Sequence, residues 1–492
     1  MWNRQEETYV QSIARMLSGL AVAAVMAAVV AGTAGPARAQ AQGAQAQGAQ
    51  APAGQTPKKL KDQGEYDIYN QVIKDITGQS FPKAVTDLDI WKQKYPESDY
   101  RDDRSYFYIQ AYNGTNQPGK VLDGAADLLN KDLKTAFPDP KQQLQILYPV
   151  TFNAAKIAAP NSTVIPTPEE LATGDKAAHQ LADFAASYFS PANKPSATSD
   201  ADWAKARGQV EDVAKAALVT LAMYPGASAM KANPKDPTNC AKAEPVFVKA
   251  LQDYPDSAQV AWALAGALRC QQVQHPDKVP AAIYEYARAA AIDPTLGGTA
   301  DPKAIQNYVN QVYTAYHGSD ENLKQFQEAA AKAPMPPPDF KLSSATEVSQ
   351  EKEAQFEKTN PQLALWMKVK GQLSDTNGQQ YFDTQLKDAA VPKLKGTLVD
   401  AKPACHAKEL LVAVPEPSQQ GTLQPEITLK LDAATTGKPT TGTQIEWEGV
   451  PSAFSREPFM LTMDTEKAKI QGLQEEHCAT APAKKGTAKK KQ

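Results

Sequence analysis

The hydrophobic period of this chain changes once, near Pro392, and that change limits what the chain can become. From about 64 to 335, apolar residues recur at spacings of three and four, as in Ala243, Val246, Phe247, Ala250 and Leu251, and again in Ala261, Leu264, Ala265 and Leu268. After Pro392 they alternate with polar neighbours. A stripe of period 3.6 faces one way only on a helix, and a stripe of period two only on a strand. A mainly α chain with a small β-domain at its C-terminal side is therefore expected.

Within the helical text, Pro, Gly, Asn and Asp punctuate segments every fifteen to twenty residues or so, a spacing that suits helical hairpins. Thr167-Pro168-Glu169-Glu170 predicts a helix start with a capping box and Pro at the first position. Two segments end in Ala-x3-aromatic-x2-Ala-x4-Pro: Ala243, Phe247, Ala250 and Pro255, then Ala282, Tyr286, Ala289 and Pro294. Ala84, Leu88, Trp91 and Pro96 follow it loosely. Small residues let two helices approach, the large one fills the gap, and Pro stops the helix. This pattern resembles the second helix of tetratricopeptide repeats, and implies an α-solenoid of helical hairpins. Tyr95-Pro96-Glu97-Ser98 and Tyr254-Pro255-Asp256-Ser257 spell one turn twice, and this turn is similar to that of exported repeat proteins of the bacterial envelope. Pro255 and Pro294 lie 39 residues apart, against a usual repeat of about 34. An insertion at Gln271 to Lys278 accounts for the excess. Residues 140 to 240 match the repeat poorly, and the resemblance covers about half of the chain at best.

Residues 345 to 390 predict three short helices, one over Pro361 to Leu373. Five strands follow, around Leu394, Gly396 and Leu398; Leu410, Val412 and Val414; Ile427, Leu429 and Leu431; Ile445 and Trp447; and Phe459, Leu461 and Met463. They predict a small five-stranded barrel or sandwich. Lys395-Gly396-Thr397 and the run Gly442 to Gly449 resemble an OB-type barrel, a fold that binds nucleic acid or sugar. Thr428, Asp432, Glu446 and Glu448 on the outward positions argue against nucleic acid, which requires basic and aromatic residues on one face.

The N-terminus predicts export. Arg4 and Arg15, partly offset by Glu6 and Glu7, precede an uncharged run from Met16 to Ala37. Gly32, Gly35 and Pro36 break its helix, and Ala37-Arg38-Ala39 fits a small-x-small cleavage site that leaves Gln40 first. An uncleaved anchor is the alternative, and the helix breakers before Ala-x-Ala weigh against it. The layout expected is a signal peptide at 1–39, an Ala/Gln/Gly linker at 40–63 and helical repeats at 64–335. A connector of short helices at 336–391, a β-domain at 392–480 and an unstructured Lys-rich tail at 481–492 complete it. The formal net charge of −3 gives no reason to expect nucleic acid as partner, and no anchor is expected after processing.

Four cysteines in an exported chain permit two bridges. A helix ending near Asp253 and an antiparallel one starting near Ala258 place residue 270 opposite 241, which predicts Cys240–Cys270. Cys405-His406 and His477-Cys478 flank the β-domain and predict a second disulfide. Zinc is the alternative, but adjacent ligands make a poor tetrahedral site.

No constellation for catalysis or cofactor binding is found. Gly114 to Val121 nearly spells a phosphate loop, but Val121 stands where Ser or Thr must hold magnesium. Gly226-Ala227-Ser228-Ala229-Met230 lacks the second Gly of a nucleophile elbow. The five His are scattered, and Asp87 and Asp89 point apart on a helix. The expectation is thus a non-catalytic exported scaffold, periplasmic or secreted, that binds protein partners of the cell envelope. A carbohydrate- or cell-wall-binding protein using the β-domain, or an unrecognised hydrolase, is the alternative. In repeat arrays of this type the first helix of each hairpin lines the groove, which implies Gln259, Trp262 and Arg269 as groove residues. Trp262 packed beneath the neighbouring hairpin weighs equally.

Overall fold

The computed structural model describes residues 58–415 and 421–478. The leader 1–39, most of the 40–63 linker and the 481–492 tail lie outside the described residues. Two compact units divide between Leu342 and Ser343.

The first unit is built of helical hairpins. Helices α1 (Gln63–Thr77), α2 (Phe81–Lys94), α3 (Arg101–Gly114) and α4 (Pro118–Leu129) open it. Ala84, Leu88 and Trp91 of α2 are fully buried with Val72 of α1, and Tyr69 meets the Trp91 ring edge-on at 5.6 Å. The expected linker ends earlier than the sequence suggests. Lys58 pairs with Asp103 at 2.5 Å, the Lys59 amide donates to Asp99, and Tyr95 donates its hydroxyl to Asp62 at 2.6 Å. Residues 58–62 are therefore tied to the first hairpins.

A second group follows: α5 (Leu133–Ala136), α6 (Pro140–Ala158), α7 (Pro168–Tyr188) and α8 (Asp200–Ala232). The capping box at Thr167 and Glu170 is formed. Helix α8 runs for 33 residues through Pro225, past the punctuation that the sequence suggests. Pro removes one backbone donor and crowds the preceding turn, at a cost of about 3 kcal/mol. Burial of Leu218, Val219, Leu221 and Met223 offsets it, because α8 packs against α6, α7 and the following helix. By length and composition α8 is also apolar enough to cross a membrane.

The third group holds α9 (Pro237–Asp253), α10 (Ala258–Cys270), α11 (Val279–Ile292), α12 (Pro302–His317) and α13 (Leu323–Ala330). The repeat-packing residues lie inside: Ala243, Phe247, Ala250, Ala282, Tyr286 and Ala289 are all buried. Pro255 and Pro294 follow the ends of α9 and α11. The Gln271–Lys278 insertion is a turn ending in a short 3-10 helix, Pro276–Lys278. Cys240 and Cys270 are bridged, with Cα atoms 6.2 Å apart, so the antiparallel arithmetic holds.

The second unit starts with α14 (Ala345–Thr359), α15 (Pro361–Ser374) and α16 (Gly378–Tyr381). Helix α15 does not stand apart as a connector, whereas α14 buries no residue. Trp366 and Leu373 of α15 share one core with the strands, and Trp366 and Lys370 both bind the Glu426 carboxylate.

The strands are β1 (Val391–Lys402), β2 (Glu409–Ala413), β3 (Ile427–Leu431), β4 (Lys438–Pro439), β5 (Gln444–Ser455), β6 (Met460–Thr465) and β7 (Glu475–Glu476). Five of them close a barrel in the order β1-β2-β3-β6-β5, with only β3 and β6 parallel. The two-residue strands β4 and β7 pair beside it. The alternating residues point inward as their period requires: Leu394, Leu398, Leu410, Val412, Ile427, Leu429, Ile445, Trp447, Leu461 and Met463 are all buried. Cys405, between β1 and β2, is bonded to Cys478 just after β7.

Candidate functional site

The site predicted on α10 is assembled by three helices. Ser257 caps α10, accepting from the Val260 amide. At the second position of α10, the Gln259 side-chain amide donates to the Leu296 carbonyl at 2.9 Å, so it braces the loop after α11. Trp262 is not an exposed anchor. It is only 9% exposed, with its ring 4.6 Å from Tyr286 of α11 and 5.3 Å from Tyr308 of α12. The next hairpin supplies Tyr308, and that ring covers the tryptophan. Of the two readings of Trp262, packing is the one observed.

What stays accessible is the layer above it. Arg269 lies over the Tyr308 ring at 5.4 Å and donates to its hydroxyl at 3.0 Å. Both residues are half-buried. Gly266 adjoins them, and a methyl group there would meet only the Tyr286 hydroxyl, at 3.7 Å. The structure therefore brings together Arg269, Tyr308 and the backbone at Gly266 over a buried aromatic floor. Tyr308 is the residue that sequence reasoning missed. Its signal was its place beside the buried stripe Ile305, Val309 and Val312 of α12.

The other candidates disperse. Gly114 ends α3 against the Phe81 ring, where any side chain would collide, so the near phosphate loop is a turn between helices. Gly226 to Met230 lie within α8. Asp89 accepts from Tyr108, while Asp87 pairs with Lys83. His406 contacts the Thr435 carbonyl, and its neighbour Cys405 is in a disulfide. Among the described residues no three of His, Cys, Asp and Glu are grouped to hold a metal ion.

Among the described residues, an acid with a strongly raised pKa lies on α11. Glu285 is fully buried, and neither carboxylate oxygen has a hydrogen-bond partner. Burial pushes its pKa up to about 8, and Arg288 one turn on pulls the other way. Arg288, also buried, donates to the Ala333 carbonyl at 2.8 Å and to the Pro255 carbonyl. It thereby ties the turn before α10 to the segment after α13. This arrangement has a structural purpose that its geometry states directly: one guanidinium holds two loops.

No family profile matches the chain, no curated protein matches it in sequence, and no solved structure matches it. Function must therefore be argued from the residues themselves.

Proposed function

We propose that this chain is a non-catalytic exported scaffold, periplasmic or secreted, whose helical array binds a partner polypeptide of the cell envelope. The observation that carries this reading is the Arg269–Tyr308 pair on the first-helix side of the hairpins. Arg and Tyr above a packed, rigid floor are the composition of an interface hot spot, because little side-chain freedom is lost on binding. The resemblance of α9 and α11 to the second helices of tetratricopeptide repeats supports the same side as the docking face. Two disulfides with no free cysteine among the described residues are typical of exported proteins.

A second reading rests on the barrel. Its strand order, with one parallel pair, resembles an OB-type barrel, and such barrels also bind oligosaccharides. The mature chain, immobilised and exposed to envelope extract, distinguishes the two. The scaffold reading expects one stoichiometric protein partner, lost on Arg269→Ala/Tyr308→Phe, which keeps the ring over Trp262 and so the thermal transition. Recovery of glycan that is indifferent to this double substitution would transfer the function to the barrel. Undiminished protein capture by the double variant would remove the hairpin face as the docking surface.

A further inference from the structure

From α6 to α11 successive helices pack as hairpins, so their connections alternate between two ends. The two ends treat large apolar residues in opposite ways. At one end, Phe137 before α6, Phe189 after α7 and Leu296 after α11 turn inward and are buried. At the other, Val164 and Ile165 between α6 and α7 stand outward, 43% and 85% exposed, and Val273 between α10 and α11 is 86% exposed. A lone apolar residue on a surface requires no explanation. Three gathered at one end, while the loops opposite expose none among the described residues, do require one.

Two bonds bring these loops to the same place. Lys231, at the end of α8, donates to the Ser162 carbonyl at 2.7 Å. Cys240, in the first turn of α9, is bridged to Cys270 at the end of α10. The α8–α9 turn therefore has one side at the first loop and the other at the second. Each loop is also fastened at its base. The Ser162 hydroxyl accepts from the Val164 amide at 3.1 Å, and Pro166 is buried. The Gln274 and His275 amides close on the carbonyl of Gln271, itself buried, at 3.0 and 2.8 Å. Between these fastenings the three aliphatic side chains project as tips.

The chemistry of the tips selects their partner. Neither 159–167 nor 271–278 holds Trp, Tyr or Arg, the residues that dominate hot spots between proteins. Tips on two separate loops would also need two matched pockets in a protein. A bilayer asks only that they lie on one side. Charge gives no pull of its own: 159–167 has no charged residue, and 271–278 has Asp277 balanced by Lys278. We propose that this end of the helical unit rests on a lipid bilayer, with Val164, Ile165 and Val273 entering the boundary between headgroups and acyl chains. The loop backbones stay among the headgroups, because their polar groups need water.

The test is flotation of the full mature chain with phosphatidylcholine vesicles. The unchanged protein should float. Ile165→Ser/Val273→Ser should bind about tenfold more weakly, since each aliphatic side chain taken from water contributes on its own. Both positions are too exposed for packing to be lost, and near-UV circular dichroism checks that the variant is folded. Binding should persist at about 0.5 M NaCl, where the screening length is only about 4 Å. The emission of Ile165→Trp should be quenched by brominated acyl chains more than that of the unchanged protein. Tyr66→Ser, at a half-exposed position on α1, should float as before, and so should Arg269→Ala/Tyr308→Phe, which separates this surface from the hairpin face. Absence of flotation, or equal flotation of the folded Ile165→Ser/Val273→Ser variant, would overturn the proposal. So would flotation confined to anionic phosphatidylglycerol vesicles and abolished by salt. Tips that bind no vesicle yet are required to capture an envelope protein would make a protein the occupant and overturn the bilayer.

Discussion

The turn Tyr95–Ser98 and the turn Tyr254–Ser257 have the same backbone and different fastenings. Each tyrosine leaves its helix at φ −128°, with ψ 62° in one case and 67° in the other. Each tyrosine amide closes on the carbonyl four residues earlier, at 2.9 Å in both turns. Local sequence accounts for that much. The first turn is then held by Arg104 of α3, nine residues on from Tyr95, which binds the Tyr95 and Pro96 carbonyls. The second is held by Arg288, thirty-three residues on from Pro255 and beside a buried acid. One fastening is local and the other joins distant loops. A repeated motif thus fixes a repeated shape, while the free energy that keeps the shape in place is specific to each site.

The largest effect should come from the distant fastening. Arg288→Ala leaves two loop carbonyls without their charged donor, at a cost of about 3–5 kcal/mol. A urea midpoint within error of the unchanged protein would show that the two loops do not depend on it.

The acid beside it should make this half of the comparison sensitive to pH. Glu285 moves from 4.5 up to about 8 on folding. The folded protein keeps that proton to higher pH than the unfolded chain. Stability from this group is whole below about 4.5, falls as pH rises, and levels off above about 8, a loss on the order of 5 kcal/mol. Glu285→Gln should flatten the profile and make the variant the more stable protein at pH 9. Parallel profiles for the two proteins would reject the assignment.

The local fastening should matter less. Arg104→Ala removes charge-assisted bonds at one turn only and should cost about 2 kcal/mol, with no change in pH profile. Smallest of all is Tyr95→Phe, which loses the bond to the exposed Asp62. Tyr254→Phe is its control, since that hydroxyl has no hydrogen bond among the described residues. Equal small losses for both tyrosines would mean that Asp62 does not distinguish the turns.

These differences mark where sequence reading succeeds. Periodicity placed the inward residues of the barrel, since alternation is a property of neighbours. The Cys240–Cys270 pair followed from counting along two short helices. Trp262 was not decided, because its cover is Tyr308, forty-six residues on and in another hairpin. Glu285 gave no signal at all, since a Glu on a helix ordinarily faces water and only the segments packed over α11 bury it. Helix α8 was hidden by Pro225, a residue that stops helices unless packing outweighs it. The parallel pairing of β3 with β6 leaves no local trace either, since each strand shows only its own alternation.

The Cys405–Cys478 bond also sets a path for mechanical load. A pull applied to the residues after 478 passes through sulfur to the loop between β1 and β2, and reaches β1 without loading the strands between. The two cysteines are 73 residues apart in sequence, so an extended length of roughly 240 Å is withheld. Strands β2 to β7 can therefore be drawn out only after the bond is reduced, and whatever grips the basic segment grips the barrel at the loop bearing Cys405.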